Sequence, residues 1–237
     1  MMMSSMMRWM LQLLTHVEAR FMTTLLLIRH ATNDYVKTGR LAGWTPAVHL
    51  NEEGQQQARA LGLRLKAAPL TALYASPLER TMETAQAIQA HHPHLTIQQH
   101  EGIGEVRYGD WEGMKISALV RRKMWQVVQE YPSRAYFPNG ETMRGVQHRI
   151  VDALESLVVN HPNGLVAVVF HADLIKMAVA HYLGVHLDNF QRIVISPASI
   201  TTLQLGHGRP YVVAVNDTAH LIEFERPQTQ AKQEQQA

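Results

Sequence analysis

Apolar residues fall along this chain in two alternating rhythms. Short unbroken apolar runs recur at Thr24–Ile28 (TLLLI), Ala72–Ser76 (ALYAS) and Gly164–Phe170 (GLVAVVF). That is the pattern of strands buried on both faces. Between the first two, Ala58, Leu61, Leu65 and Ala68 repeat at helical spacing. Asn51 supplies an N-cap there, and Glu52 and Glu53 suit the positive end of the helix. After the second strand, Ser76 as N-cap, Pro77 at the first helical position and Glu79 three residues past the cap read as a capping box. Further helices are predicted over Thr142–Asn160 and from Ala172 to a C′ glycine at Gly184. A short strand near Leu95–Gln99 and two more at Ser199–Leu205 and Pro210–Asn216 complete the set. Strands separated by helices predict an α/β protein, a three-layer α/β/α sandwich with a mostly parallel central sheet.

The rhythm breaks between about residues 101 and 140, which include an amphipathic stretch at Ile116–Tyr131. This segment reads as a short cap insertion lying over one edge of the sheet. One domain is expected over 22–225, with a disordered or weakly helical leader at 1–21 and a disordered polar tail at 226–237. The leader's apolar patch, Trp9–Leu14, is interrupted by Gln12 and lacks the apolar core of a secretory signal. No apolar run approaches the roughly 18 residues of a membrane span.

Composition narrows the function classes. Lys plus Arg number 22 and Asp plus Glu 20, a net charge of +2. No dense cationic run supports a nucleic-acid or membrane partner, yet a local positive pocket is compatible with so small a balance. There is no cysteine. Disulfides, thiolate catalysis and cysteine-based metal sites are excluded, and a cytoplasmic location is expected.

In open parallel sheets, ligands bind outside the carboxyl ends of the strands. Arg29 and His30 sit at one such end, His171 at another, and Ser76–Pro77 at a third, which places Arg80 in the helix beyond. Two guanidiniums and two imidazoles at one edge suit a tetrahedral oxyanion. Arginine offers paired donors to phosphate oxygens and keeps its charge. Imidazole can donate through one nitrogen or attack phosphorus through the other.

These residues resemble the histidine phosphatase superfamily, also called the phosphoglycerate-mutase-like family. Its signature is Arg-His-Gly after the first strand, here IRHA at 28–31. The stretches HLNEEGQQQA, YASPLERTMETAQAI, GEVRYGDWEG and VVFHADLIK look like four further blocks of the family, in its order. The resemblance covers about Thr23 to Asn216 and implies named roles. His30 would be the phosphorylated nucleophile, with Arg29, Arg80 and His171 holding the phosphoryl oxygens. Glu105 would be general acid and then base, its pKa raised by partial burial. The small-molecule partner would be a phosphomonoester, with no cofactor and no metal.

Ala31 and Ala172 replace family glycines, and Thr32, Asn33 and Val36 depart from the usual residues after the first histidine. Asn33 is a candidate phosphate contact. GRLAGWTP resembles a loop that carries a phosphate-contacting arginine, which adds Arg40 and Gly43 as substrate-binding candidates. Arg107, Tyr108, Arg121 and Arg122 are candidates for an anionic group on the substrate.

Hydrolysis is favoured over phosphoglycerate-type phosphomutase chemistry, because the insertion is short and carries a Gly-Asp-Trp-Glu-Gly run. A metal-dependent hydrolase using His30, His171 and Asp173, or a non-catalytic phosphate-binding module, are remoter alternatives. Glu101, Asp110 and Glu112 compete with Glu105 for the acid's role. The cluster His91, His92, His94 reads as solvated and unligated, and Trp111 and Trp125 as packing of the insertion. Glu141 reads equally as a helix-start acid or as support for the pocket. Oligomeric state is not legible in the sequence.

Overall fold

A computed structural model describes residues 21–222, so the leader and tail assigned to 1–21 and 226–237 lie, Phe21 apart, outside the described residues. The chain runs β1 (Met22–Arg29), α1 (Asp34–Lys37), α2 (Glu52–Leu65), β2 (Ala72–Ala75), α3 (Glu79–Gln89) and β3 (Ile97–Gln99). The insertion follows, with α4 (Ile116–Leu119) and α5 (Lys123–Glu130). Then come α6 (Met143–Asn160), β4 (Leu165–Phe170), α7 (Ala172–Tyr182), β5 (Ile200–Gly206) and β6 (Tyr211–Asp217). Among the described residues one six-stranded sheet has the order β3-β2-β4-β1-β5-β6. The β3, β2, β4 and β1 strands run parallel, while β5 is antiparallel to both β1 and β6.

The period of two explains the layers. Leu25, Leu27, Tyr74, Val166 and Val168 face a core shared with α6 and α7. Ile28, Leu73, Ala167 and Val169 face the opposite core, closed by Leu61, Leu65 and Ile88 from α2 and α3. Strands covered on both sides need no polar alternation, which is why they read as continuous apolar runs.

Several local expectations hold in detail. Asn51 Oδ1 accepts from Gly54 N at 3.0 Å and caps α2. Gly184 follows the end of α7 with φ +68°, the left-handed conformation that favours glycine there.

The capping box does not form. The third helix begins at Glu79, its N-cap Leu78 makes no side-chain capping bond, and Ser76 Oγ is bonded to His171 Nε2 at 2.9 Å instead. The hydroxyl serves a buried imidazole from the neighbouring strand, and Glu79 accepts from Ala47 N. The amphipathic stretch 116–131 forms two short helices, α4 and α5. His92 is not solvated: it is buried, and its Nε2–H donates to the Leu65 carbonyl at 3.0 Å, satisfying an acceptor at the end of α2.

Candidate active site

The register of the two central strands decides where the histidines sit. Arg29 pairs with Phe170 across β1 and β4, so His30 and His171 are the next residues of adjacent parallel strands. His30 N continues the ladder to the Phe170 carbonyl at 2.9 Å. The two rings meet edge to face with centroids 5.4 Å apart. The His30 carbonyl accepts from Ala198 N on the other side, the His171 carbonyl accepts from Ile175 N in the first turn of α7, and both side chains are buried.

His30 Nδ1 lies 2.7 Å from the Ala31 carbonyl, an acceptor, so the ring proton sits on Nδ1 and Nε2 keeps its lone pair. Burial, then the charges of Arg80 and Arg29, hold this imidazole well below its ordinary pKa. The ring is neutral at pH 7 and suited to nucleophilic attack. Burial and the neighbouring Arg80 keep His171 neutral in the same way. Arg80 Nη2 approaches His171 Nδ1 at 3.4 Å, which leaves the His171 Nε2 proton for Ser76 Oγ.

The arginines are incompletely paired. Arg29 Nη1 donates to the Ile195 carbonyl at 2.7 Å and Arg80 Nη2 to the Gly43 carbonyl at 2.9 Å. Arg29 Nε, Arg80 Nε and Arg80 Nη1 are buried with no partner among the described residues. A buried donor without an acceptor costs about 1–3 kcal/mol, more when charged, so three beside one cavity mark a place shaped for an anion. Arg29, His30, Arg80, Glu105 and Asn33 line a cavity of about 500 Å³.

Glu105 enters from the insertion. Its Oε1 accepts from Val106 N at 2.9 Å, while Oε2 lies 3.4 Å from His171 Nδ1 and 3.8 Å from Arg80 Nη2. Its side chain is only 12% exposed. Burial raises its pKa to about 7, opposed by Arg80 and assisted by Asp173. Near neutral pH it therefore exists in both protonation states, as a group that first donates and then accepts a proton requires.

The sequence profile of the histidine phosphatase superfamily (branch 1) matches residues 25–218. The chain belongs to that superfamily. It is an enzyme of the histidine phosphatase type, a phosphohydrolase. Phosphoserine phosphatase 1 of Hydrogenobacter thermophilus is 31% identical over 208 residues, 86% of this chain and 96% of that protein. The solved structure of Bacillus stearothermophilus YhfR superposes with TM-score 0.79 at 29% identity, over 84% of this chain and 98% of that one. A phosphoserine phosphatase from Entamoeba histolytica, solved in complex with 3-phosphoglyceric acid, superposes with TM-score 0.77 at 26% identity, over 84% and 99% of the two chains.

Within this histidine phosphatase the secondary candidates separate. Asn33, Arg40 and Tyr108 line the cavity. Asn33 Oδ1 is occupied in capping α1, accepting from Val36 N at 3.0 Å. Arg40 sits at the exposed rim, its Nε on the Gly113 carbonyl and its guanidinium 5.4 Å from the Tyr35 ring. Gly43 contributes backbone: at φ +52° its carbonyl holds Arg80, and a Cβ there would come within 2.7 Å of Glu112 Cγ. Arg107 does not line the cavity; it stacks on Trp44 at 3.8 Å. Arg121 and Arg122 are exposed and also outside the lining. His171 stands behind His30 rather than in the cavity wall.

Sequence reasoning missed Arg149. Its guanidinium takes Glu141 bidentately, with both bonds 2.9 Å, and donates to the Gly102 and Gly104 carbonyls at 2.9 Å each. Glu141 also accepts from Arg107 N at 2.9 Å. The pair thus ties down the backbone on both sides of Glu105, which answers the question left open at Glu141. A lone arginine in the middle of a helix has no sequence signal; a clue lay in Glu141 eight residues before it.

Proposed function

We propose that this protein is a metal-independent phosphomonoester hydrolase that works through a phosphohistidine. His30 Nε2 attacks phosphorus while protonated Glu105 delivers its proton to the departing alcohol oxygen, and the P–O bond breaks as the P–N bond forms. Arg29 and Arg80 turn their unpaired donors to the phosphoryl oxygens, where charge grows in the transition state. His171 acts from behind, holding Arg80 and Glu105 in place. Ionised Glu105 then takes a proton from water, the resulting hydroxide attacks phosphorus, and the P–N bond breaks to release phosphate and regenerate both groups.

The observation that carries this reading is the set of buried, unpartnered guanidinium N–H groups of Arg29 and Arg80 beside the Nε2 lone pair of His30. Hydrolysis rather than phosphomutase chemistry is supported by the positions of Arg107, Arg121 and Arg122. None of these cations reaches the cavity to grip a substrate carboxylate. The reaction is assigned to the cytoplasm on the cysteine-free composition.

Quenching turnover of a phosphoryl-labelled ester tests the mechanism. The expected product is an acid-labile, base-stable label on His30, with turnover undiminished by a chelator and abolished in His30→Ala. A label on another residue, or hydrolysis surviving in that variant, overturns it.

A further inference from the structure

Ile195 and Ser196 share one peptide group, and both of its polar ends are taken. The carbonyl accepts from Arg29 Nη1 at 2.7 Å, and the N–H donates to Asn216 Oδ1 at 2.6 Å. Asn216 belongs to β6, the edge strand, and does not line the cavity. A single peptide therefore connects the edge of the sheet to an arginine that does line it.

The backbone departs from regular geometry to make this connection. Thr202 stands opposite Ala214 and Ile200 opposite Asp217, so Val215 and Asn216 face Thr201 alone. An extra residue of this kind bends an edge strand and re-aims a side chain. Asn216 takes φ +59° there, a left-handed conformation that asparagine tolerates better than most residues. Its own N–H donates to the buried Thr201 Oγ1 at 3.2 Å. On the far side of the peptide, Ser199 N donates to the Ser196 carbonyl at 3.1 Å, closing a turn over Pro197 and Ala198. Ala198 is buried at φ +56°, and its N–H donates to the His30 carbonyl at 3.3 Å. Alanine pays a steric cost in that conformation, which persists only where the surroundings enforce it.

Orientation passes along this chain of bonds. The Ile195 carbonyl meets Arg29 only while its peptide plane keeps its tilt, and the bond from Ser196 N to Asn216 opposes rotation of that plane. The same bond polarises the carbonyl and strengthens it as an acceptor for a cation. A guanidinium is planar and rigid, so fixing Nη1 also sets the direction of Nε. Arg29 Nε is one of the buried donors with no partner among the described residues.

We propose that Asn216 is a positioning residue for the phosphoryl site, aiming the Arg29 guanidinium through the Ile195–Ser196 peptide. The proposal rests on the reading of Arg29 as a ligand of the phosphoryl oxygens.

Inorganic phosphate is the probe, because it engages the arginines without a leaving group. Its dissociation constant would be measured by calorimetry in wild type, Asn216→Gly, Asn216→Asp, Arg29→Met and the double variant, with melting temperatures alongside. Glycine keeps the left-handed backbone and removes the acceptor, whereas aspartate keeps both. Asn216→Gly is expected to weaken phosphate by about tenfold, the scale of one misaligned hydrogen bond to a charged group. Asn216→Asp should bind as wild type does. In the Arg29→Met background the glycine should cost nothing further, because the group it acts through is gone. Should Asn216→Gly not fold, Asn216→Ser, whose hydroxyl is one bond shorter, carries the same comparison. Unchanged binding in the glycine variant, an equal loss in Asn216→Asp, or an undiminished loss in the Arg29→Met background overturns the positioning role and leaves Arg29 a phosphoryl ligand. Unchanged binding in Arg29→Met alone sinks that reading of Arg29, and this proposal with it.

Discussion

His30 and Glu105 face one cavity from two unlike scaffolds. His30 sits one residue past a strand paired on both sides, and its neighbour His171 stands in register on the next strand. Their separation follows from the sheet's own spacing. Glu105 stands in a segment without strands, where short 3₁₀ turns replace regular ladders. Its backbone is positioned by side chains: Trp44 Nε1 donates to the Glu105 carbonyl at 2.7 Å, and Arg149 holds the carbonyls of Gly102 and Gly104. The place of the proposed nucleophile is fixed by backbone periodicity and that of the proposed proton donor by individual tethers. Damage to the first should abolish chemistry, while damage to the second should detune it.

The largest effect should come from the floor of the site. Arg80→Ala removes a buried guanidinium that contacts Gly43 and lies near Glu105 and His171. Steady-state assays should show a loss of about 10³-fold or more in kcat/KM, the scale of an arginine that stabilises a phosphoryl transition state. A loss below tenfold would mean that the floor is not where phosphoryl charge develops.

Glu105→Gln comes next. Losing a positioned acid/base typically costs about 10²–10⁴-fold, and the pH profile should change with it. In the proposed mechanism cleavage of the P–O bond needs protonated Glu105, so wild-type kcat/KM should fall as pH rises above about 7. Since His30 is held well below its ordinary value, no matching decline is expected just below pH 6.5. The glutamine variant should lose the upper limb. The same substitution that lowers activity should raise stability. Folding raises the Glu105 pKa from 4.5 to about 7, so the folded state binds more protons than the unfolded one within that window. Stability therefore falls as pH rises through it, by up to about 3 kcal/mol. Urea melts should find Glu105→Gln more stable than wild type at pH 8, with most of that advantage gone at pH 5. Equal melts at both pH values would show that the carboxylate is not strained by burial.

The same contrast governs what could be read in advance. Strands β1, β2 and β4 were legible because burial on both faces leaves no choice but continuous apolar residues, and the strand-end rule then placed Arg29, His30 and His171 together. Ser76 was misread because a Ser-Pro-x-Glu pattern is also what a helix cap looks like; only the third dimension shows that its hydroxyl faces His171. Arg107 and Arg149 are both arginines near the insertion, and composition cannot tell the one stacked on Trp44 from the one clamping Glu141. Trp125 could not be assigned to the cavity because other residues that line it stand as far away in the chain as Arg29 and Lys176. Periodic hydrogen bonding leaves a trace in sequence, and single tethers across a loop do not.

The smallest and sharpest effect concerns that tether. In Arg149→Met the bidentate bond to Glu141, the two glycine carbonyl contacts and the longer one to the Glu105 carbonyl at 3.4 Å disappear, while the Glu105 side chain keeps its own partners. The loop around Glu105 should loosen and admit water. Turnover should drop by about tenfold through kcat, because misplacement of a general acid affects the chemical step more than phosphate binding. Hydration should also relax the burial that raises the Glu105 pKa, so the upper limb of the pH profile should move below about 7. Arg149→Lys should recover only part of the loss, since an ammonium cannot reproduce the paired geometry. If Arg149→Met lowers the melting temperature but leaves both kcat and the pH limb in place, the clamp merely holds the fold. A shifted limb with an unchanged melt would show that Glu105 owes its position to this pair, as His30 owes its own to the sheet.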